Sequence, residues 1–158
     1  MKHRIRAAGF VVRDTALLLV KHQSPISGEA CWIPLGGGIE RSDDSIFACA
    51  AREIFEETGL VATLSRIAYV REFYDAQLDV RSCEFFLPVD RFSGTPTLDH
   101  LPPTSPGSDW VVELGWFERS QLAGITVYPE ILSDDTFWDD LAANFPQVRY
   151  LGLQKRSA

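Results

Sequence analysis

"GIERSDDSIFACAAREIFEETGL", residues 38–60, is the stretch on which the reading of the whole chain turns. Its second half crowds Glu53, Glu56 and Glu57 around Arg52 in a helical pattern that runs from Ser45 to Thr58, with Gly59 as the expected stop. Asp43 or Asp44 is the expected N-cap. Like charges one turn apart cost a helix about 0.2–0.5 kcal/mol per pair. Such a cluster is therefore either screened by water on an idle surface or built to have a cation among it. At 100° per residue the three glutamates fall within an arc of about 100°. Phe47, Ala51, Ile54 and Phe55 fall on the far side, which is expected to face a core. Arg52, one turn before Glu56, is placed to steady that carboxylate through a charged hydrogen bond.

Outward from this helix the pattern is of short strands. "IRAAGFVV" (5–12) and "ALLLVKH" (16–22) read as two strands joined by a tight turn at "RDT". "CWIP" (31–34) is a brief strand stopped by Pro34, and "LGGGIERSDD" (35–44) is too rich in glycine to be expected as a regular element. Strands are also expected within 63–74, 80–89 and 109–117, and short helices at 120–124 and 133–145. The segment 93–108, dense in proline and glycine, reads as a long loop of the kind that is often functional. The fold class is α/β, with strands and two or three helices in one domain over 1–158.

Composition narrows the chemistry. With 22 Asp+Glu against 15 Lys+Arg and a formal net charge of −7, the balance argues against a duplex nucleic-acid binder that works by phosphate neutralisation. A phosphorylated small molecule remains compatible if a metal cation bridges the two negative partners. Cys31, Cys49 and Cys83 form no close-spaced pair, which suits free thiols in a reducing compartment. The N-terminal apolar run is broken by Arg13 and Asp14, too early for a secretion signal. No stretch reaches the ~18 apolar residues of a membrane span. The expected location is cytoplasmic, with no membrane partner.

The stretch from Gly38 to Leu60 resembles the Nudix box, in which a glycine, five residues, a glutamate and seven residues precede Arg-Glu-aliphatic-any-Glu-Glu-any-Gly-aliphatic. Gly38, Arg52, Glu53, Ile54, Glu56, Glu57, Gly59 and Leu60 match at the required spacing. Asp44 stands where the family usually has glutamate, and its carboxylate reaches roughly 1.5 Å less. The resemblance implies an α/β/α sandwich around a mixed β-sheet. It also implies hydrolysis of a nucleoside diphosphate linked to a further moiety X, or of a nucleoside triphosphate, by attack of water on phosphorus.

By the same resemblance Glu56 and Glu57 are metal ligands, and Glu53 is a ligand or the group that takes the proton. A backbone carbonyl near Gly37 completes the metal shell, and Arg52 orients the glutamates. The implied cofactor is Mg²⁺, with Mn²⁺ as a substitute. The implied partner is a small nucleoside diphosphate derivative, with a homodimer as a candidate assembly. Candidates for a general base on a later loop are Glu113, Asp109 or a residue in 93–108. Lys21 is a candidate phosphate contact, and Tyr74, Phe73, Trp110 and Trp116 are candidates for stacking on a base, though aromatics at strand spacing are commonly core. His3, His22 and His100 read as surface or loop residues. Two rival readings differ in class: a catalytically silent Nudix domain that binds a nucleotide or partner, and an RNA end-processing enzyme, the latter disfavoured by the acidic charge.

Overall fold

Strict alternation of apolar side chains explains how one strand can serve two cores. In Ala16–Gln23 (β3), Leu17 and Leu19 enter one cluster while Leu18 and Val20 enter another. The computed structural model describes residues 1–24, 27–103 and 111–157. Its strands are Lys2–Phe10 (β1), Val12–Arg13 (β2), β3, Ala30–Ile33 (β4), Leu35–Gly38 (β5), Val61–Leu64 (β6), Tyr69–Asp75 (β7), Val80–Ser93 (β8), Val111–Phe117 (β9) and Arg149–Arg156 (β10). Ile46–Thr58 (α1) and Asp135–Ala142 (α2) are the helices of at least two turns among the described residues.

One sheet has the order β10–β7–β8–β1–β5, with β6 added along the far part of β8. It is mixed: β1 runs parallel to β8, and β10 parallel to β7. In the second sheet β3 is central, with β9 on one side and β2 and β4 on the other. Helix α1 covers one face of the larger sheet through Cys49 and Ala50, which meet Ala7 and Leu87. The opposite face carries an aromatic core in which Phe10, Tyr69, Phe86, Phe137 and Phe145 stack or meet edge to face. The layering is the expected α/β arrangement. Among the described residues no helix is long and apolar enough to cross a membrane, and all three cysteines are free.

Several local expectations are corrected. Leu35–Gly38 is a strand despite its three glycines, because β1 supplies an antiparallel ladder from Arg6–Gly38 to Gly9–Leu35. The expected strand over 63–74 divides into β6 and β7, and β10 is present where no strand was expected. The helix expected at 120–124 is a single 3₁₀ turn, Arg119–Gln121, and the loop 93–108 contains another at Leu98–His100.

Candidate active site

Helix α1 starts at Ser45, whose side chain accepts from the Ala48 N–H at 3.1 Å, so neither Asp43 nor Asp44 is the cap. It stops at Gly59, which adopts a φ of 73° and donates its N–H to the Phe55 carbonyl at 2.7 Å. The buried side of the helix is Cys49, Ala50, Ile54, Glu57 and Thr58. Phe55 is not part of it: the ring is 44% exposed and lies against His100.

Asp43 has a different task from capping. Its carboxylate accepts from Arg52 Nε at 2.9 Å and Nη2 at 2.8 Å, a bidentate fork, and from the Glu40 N–H at 2.8 Å. Arg52 holds the loop and the helix together. The same guanidinium donates to Glu53 Oε1 at 2.9 Å, to Glu56 at 3.3 Å and to the Gly38 carbonyl at 3.1 Å. The hydrogen bonds that Arg52 donates to Asp43 lift the Arg52 pKa further above its ordinary value, and they hold Asp43 below the usual carboxylate range. Arg52 thus touches the loop, the strand and two of the three glutamates at once.

Two glutamates are fixed by the strand beneath them. Glu57 is buried, and its Oε1 accepts from the Gly36 N–H at 2.7 Å. Glu53 lies against Gly37 so closely that a Cβ on that glycine would stand 2.3 Å from Oε1. Burial raises the Glu53 pKa, and the charges of Glu57 and Glu56 push it the same way, against the opposing pull of Arg52. Three carboxylates therefore share one end of a strand–helix junction with a single guanidinium among them.

That donor set suits a hard divalent cation, which takes oxygen ligands and keeps several waters or phosphate oxygens. Gly37 leaves the space in which the Glu53 carboxylate sits, and the proton affinity of Glu53 is raised first by burial and then by the charges of Glu57 and Glu56. Among the described residues no group of three or more His, Cys, Asp or Glu side chains is already gathered as a metal cage. Arg52 occupies part of the space among the carboxylates instead. The Gly37 carbonyl faces the Cys49 thiol at 3.7 Å, and burial raises that thiol to a pKa of about 11, which makes it inert.

The remaining expected residues divide. Lys21 and Glu113 are cross-strand partners on β3 and β9, 3.7 Å apart, and the lysine also stands over the Trp32 ring. Tyr74 is not brought to the carboxylates: its hydroxyl donates to Asp79 in the β7–β8 turn at 2.9 Å. Phe73 flanks Arg71, and Trp116 packs between Phe92 and Arg13. Asp109 and Trp110 lie outside the described residues.

His22, read as a surface or loop residue, lies instead on β3 and is half-buried. Its Nε2 is buried without a hydrogen-bond partner among the described residues, 3.9 Å from Glu57 Oε2. The signal for this was present in the sequence, since His22 follows Leu18 and Val20 on one face of β3, and those two meet Ile54 and Leu60. Asp43 had no comparable signal, because a loop residue carries no periodicity.

The NUDIX domain family profile matches residues 2–136 of the chain. No curated protein matches it in sequence. Among solved structures, the E. coli ORF135 protein superposes with a TM-score of 0.69 at 22% identity, over 93% of this chain and 96% of that one. The MutT NUDIX hydrolase from Burkholderia pseudomallei gives a TM-score of 0.67 at 25% identity, over 84% of this chain and 96% of that one. An ADP-ribose pyrophosphatase from Streptococcus suis gives 0.56 at 16% identity, over 96% and 98%, a likeness of fold alone.

Proposed function

The chain belongs to the NUDIX family, and from that premise we propose that it is a divalent-metal-dependent pyrophosphohydrolase. Its substrate is a nucleoside diphosphate derivative or nucleoside triphosphate, cleaved by attack of water on phosphorus. The observation that carries the reading is the Glu53 carboxylate, buried against Gly37 beside Glu56 and Glu57 and held from one side by Arg52. An idle acidic helix face would have no reason to bury a carboxylate against a glycine.

Glu56 and Glu57, with the Gly37 carbonyl, are the residues that would hold Mg²⁺, or Mn²⁺ in its place. The bound cation supplies charge against the diphosphate and lowers the pKa of water. Glu57 is positioned for this by the Gly36 N–H, which fixes Oε1 and leaves Oε2 on the His22 side. Arg52 occupies Oε1 of Glu53, so Oε2 is the oxygen left to accept the proton of the attacking water. The raised pKa of Glu53 suits it to that task. Glu113 is tied to Lys21 and is the weaker candidate for the base. The free cysteines are in keeping with a cytoplasmic enzyme.

The test is a panel of nucleoside triphosphates and nucleoside diphosphate derivatives with Mg²⁺ and Mn²⁺, with products resolved. Glu53→Gln and Glu57→Gln are expected to abolish turnover. Full Mg²⁺-dependent turnover in both variants would overturn the proposal. Tight binding of a nucleotide without any turnover in the native protein would favour a silent binding domain instead.

A further inference from the structure

Arg4 and Arg6 stand two residues apart on β1 and therefore on one face of the sheet. Arg6 is the cross-strand partner of Gly38 on one side and of Glu84 on the other. That glutamate does not neutralise it, because Glu84 is committed to Arg71 by contacts of 2.7 and 2.5 Å. Arg6 makes one hydrogen bond, from Nη2 to the Gly36 carbonyl at 3.2 Å. The guanidinium of Arg4 lies flat against Gly38, where a Cβ would stand 2.9 Å from Nε, and it makes no hydrogen bond or ion pair with the described residues. Each guanidinium carries five N–H donors, so most of them are open to water or a ligand, Arg4 being an exposed residue. Desolvation and the neighbouring Arg6 hold Arg4 below its ordinary pKa.

Glu84 and Glu53 offset part of the charge on Arg4, and the open donors of the two guanidinium groups suit a further anion. The place matters as much as the charge. The Gly38 carbonyl accepts from Arg52, and Glu53 is among the groups whose charge Arg4 feels. On β5, which ends the sheet, Gly38 meets Arg4 on one face while Gly37 meets Glu53 on the other, so the guanidinium and the carboxylate flank one edge strand from its two sides. Gly38 keeps that edge thin, since any side chain there would displace the guanidinium.

We propose that Arg4 and Arg6 form an anion subsite that receives a phosphate of the substrate lying outside the bond that is cleaved. The chain then favours substrates with a terminal phosphate or a phosphorylated X over those whose X is neutral. This rests on the pyrophosphohydrolase reading for the identity of the ligand, but the anion site itself does not.

Two measurements separate the proposals. In the first, inorganic phosphate is titrated into the protein in the presence of chelator and followed by amide NMR. Saturable shifts are expected on β1 and β5, lost in Arg4→Gln and Arg6→Gln and kept in Glu53→Gln. No saturable shift, or shifts that survive both arginine substitutions in folded protein, overturns the subsite.

In the second, KM is compared for two substrates that differ by one phosphate monoester on X, and for a nucleoside triphosphate against its diphosphate. Arg4→Gln is expected to raise KM for the phosphate-bearing member about tenfold more than for its partner, with Arg4→Lys recovering part of the loss. An equal effect on both members overturns the selectivity. If no member is hydrolysed, the enzyme reading fails, and the phosphate titration still decides the subsite.

Discussion

Gly37→Ala isolates the geometry on which the proposed chemistry depends. The new methyl carbon would stand 2.3 Å from Glu53 Oε1, 2.4 Å from Cδ and 2.6 Å from Oε2. The carboxylate must retreat by about 1 Å to regain ordinary van der Waals separation. The obstructed atoms are the far end of a flexible side chain, and Gly37 is not among the glycines with positive φ, so neither backbone strain nor core overpacking is added. The fold should therefore survive with a stability loss below about 1.5 kcal/mol.

A displacement of that size at a group that holds ions or takes a proton is expected to lower kcat/KM about 100-fold, or about 2.7 kcal/mol of transition-state stabilisation. Most of it should fall on kcat. The assay is Mg²⁺-dependent hydrolysis of the best substrate in the panel, with urea unfolding measured on the same preparation. Gly36→Ala is the control. Its Cβ would meet the Ala7 carbonyl oxygen at 2.3 Å and the Ala8 Cα at 2.5 Å, backbone atoms that cannot swing aside, so stability should fall sharply instead. A folded Gly37→Ala protein that keeps kcat/KM within about threefold of the native value would refute the placement of Glu53 at the reacting centre.

Three further outcomes follow from contacts elsewhere. Asp43→Asn weakens the fork that holds Arg52, so turnover should fall about tenfold while the secondary structure seen by circular dichroism is unchanged. Gly59→Ala forces an alanine to a φ of 73° and puts its Cβ 2.5 Å from His100 Cδ2; about 1–2 kcal/mol of stability should be lost, read as a lower urea midpoint at constant slope. Asp140 accepts from Arg149 at 2.7 and 2.9 Å and from the Tyr69 hydroxyl at 2.7 Å, which holds its pKa below the ordinary value. A lowered carboxylate pKa contributes stability that is present above the ordinary Asp range near 4 and lost as pH falls through the folded value. Asp140→Asn should therefore cost about 1–3 kcal/mol near neutrality, and the gap in melting temperature between native and variant should close on acidification.

What the sequence made legible was local. Helix periodicity placed Glu53, Glu56 and Glu57 together and Gly59 at their end, and alternation found the β1 and β3 strands. What it hid depends on partners distant in the chain. The triglycine segment contradicts strand propensity, yet it forms β5 because β1 supplies the ladder and because bulk there would strike Ala7, Ala8 or Glu53. Strand β10 carries Gly152 at a φ of 87° with a register shift beside it, so its alternation is broken, and its order comes from parallel pairing with β7 and from partners such as Asp140, which holds Arg149. Phe55 fits the apolar stripe of α1 by spacing, but the core beneath that helix ends short of it, and His100 covers part of the ring instead.

The same distinction bears on Asp44, where the chain departs from the family pattern. A shortened carboxylate at that position matters if the loop relies on it to reach Arg52. In this fold the reach is made one residue earlier: Asp43 takes two donors of Arg52, and its own carboxylate is nearly buried. Arg52 in turn grips Gly38, Glu53 and Glu56, so loop, strand and helix converge on one guanidinium. Shortening Asp44 therefore leaves the glutamates oriented. The residues that set the site are the one holding Arg52 from the loop and the glycine giving Glu53 its place, neither of which the spacing of charges on the helix reveals.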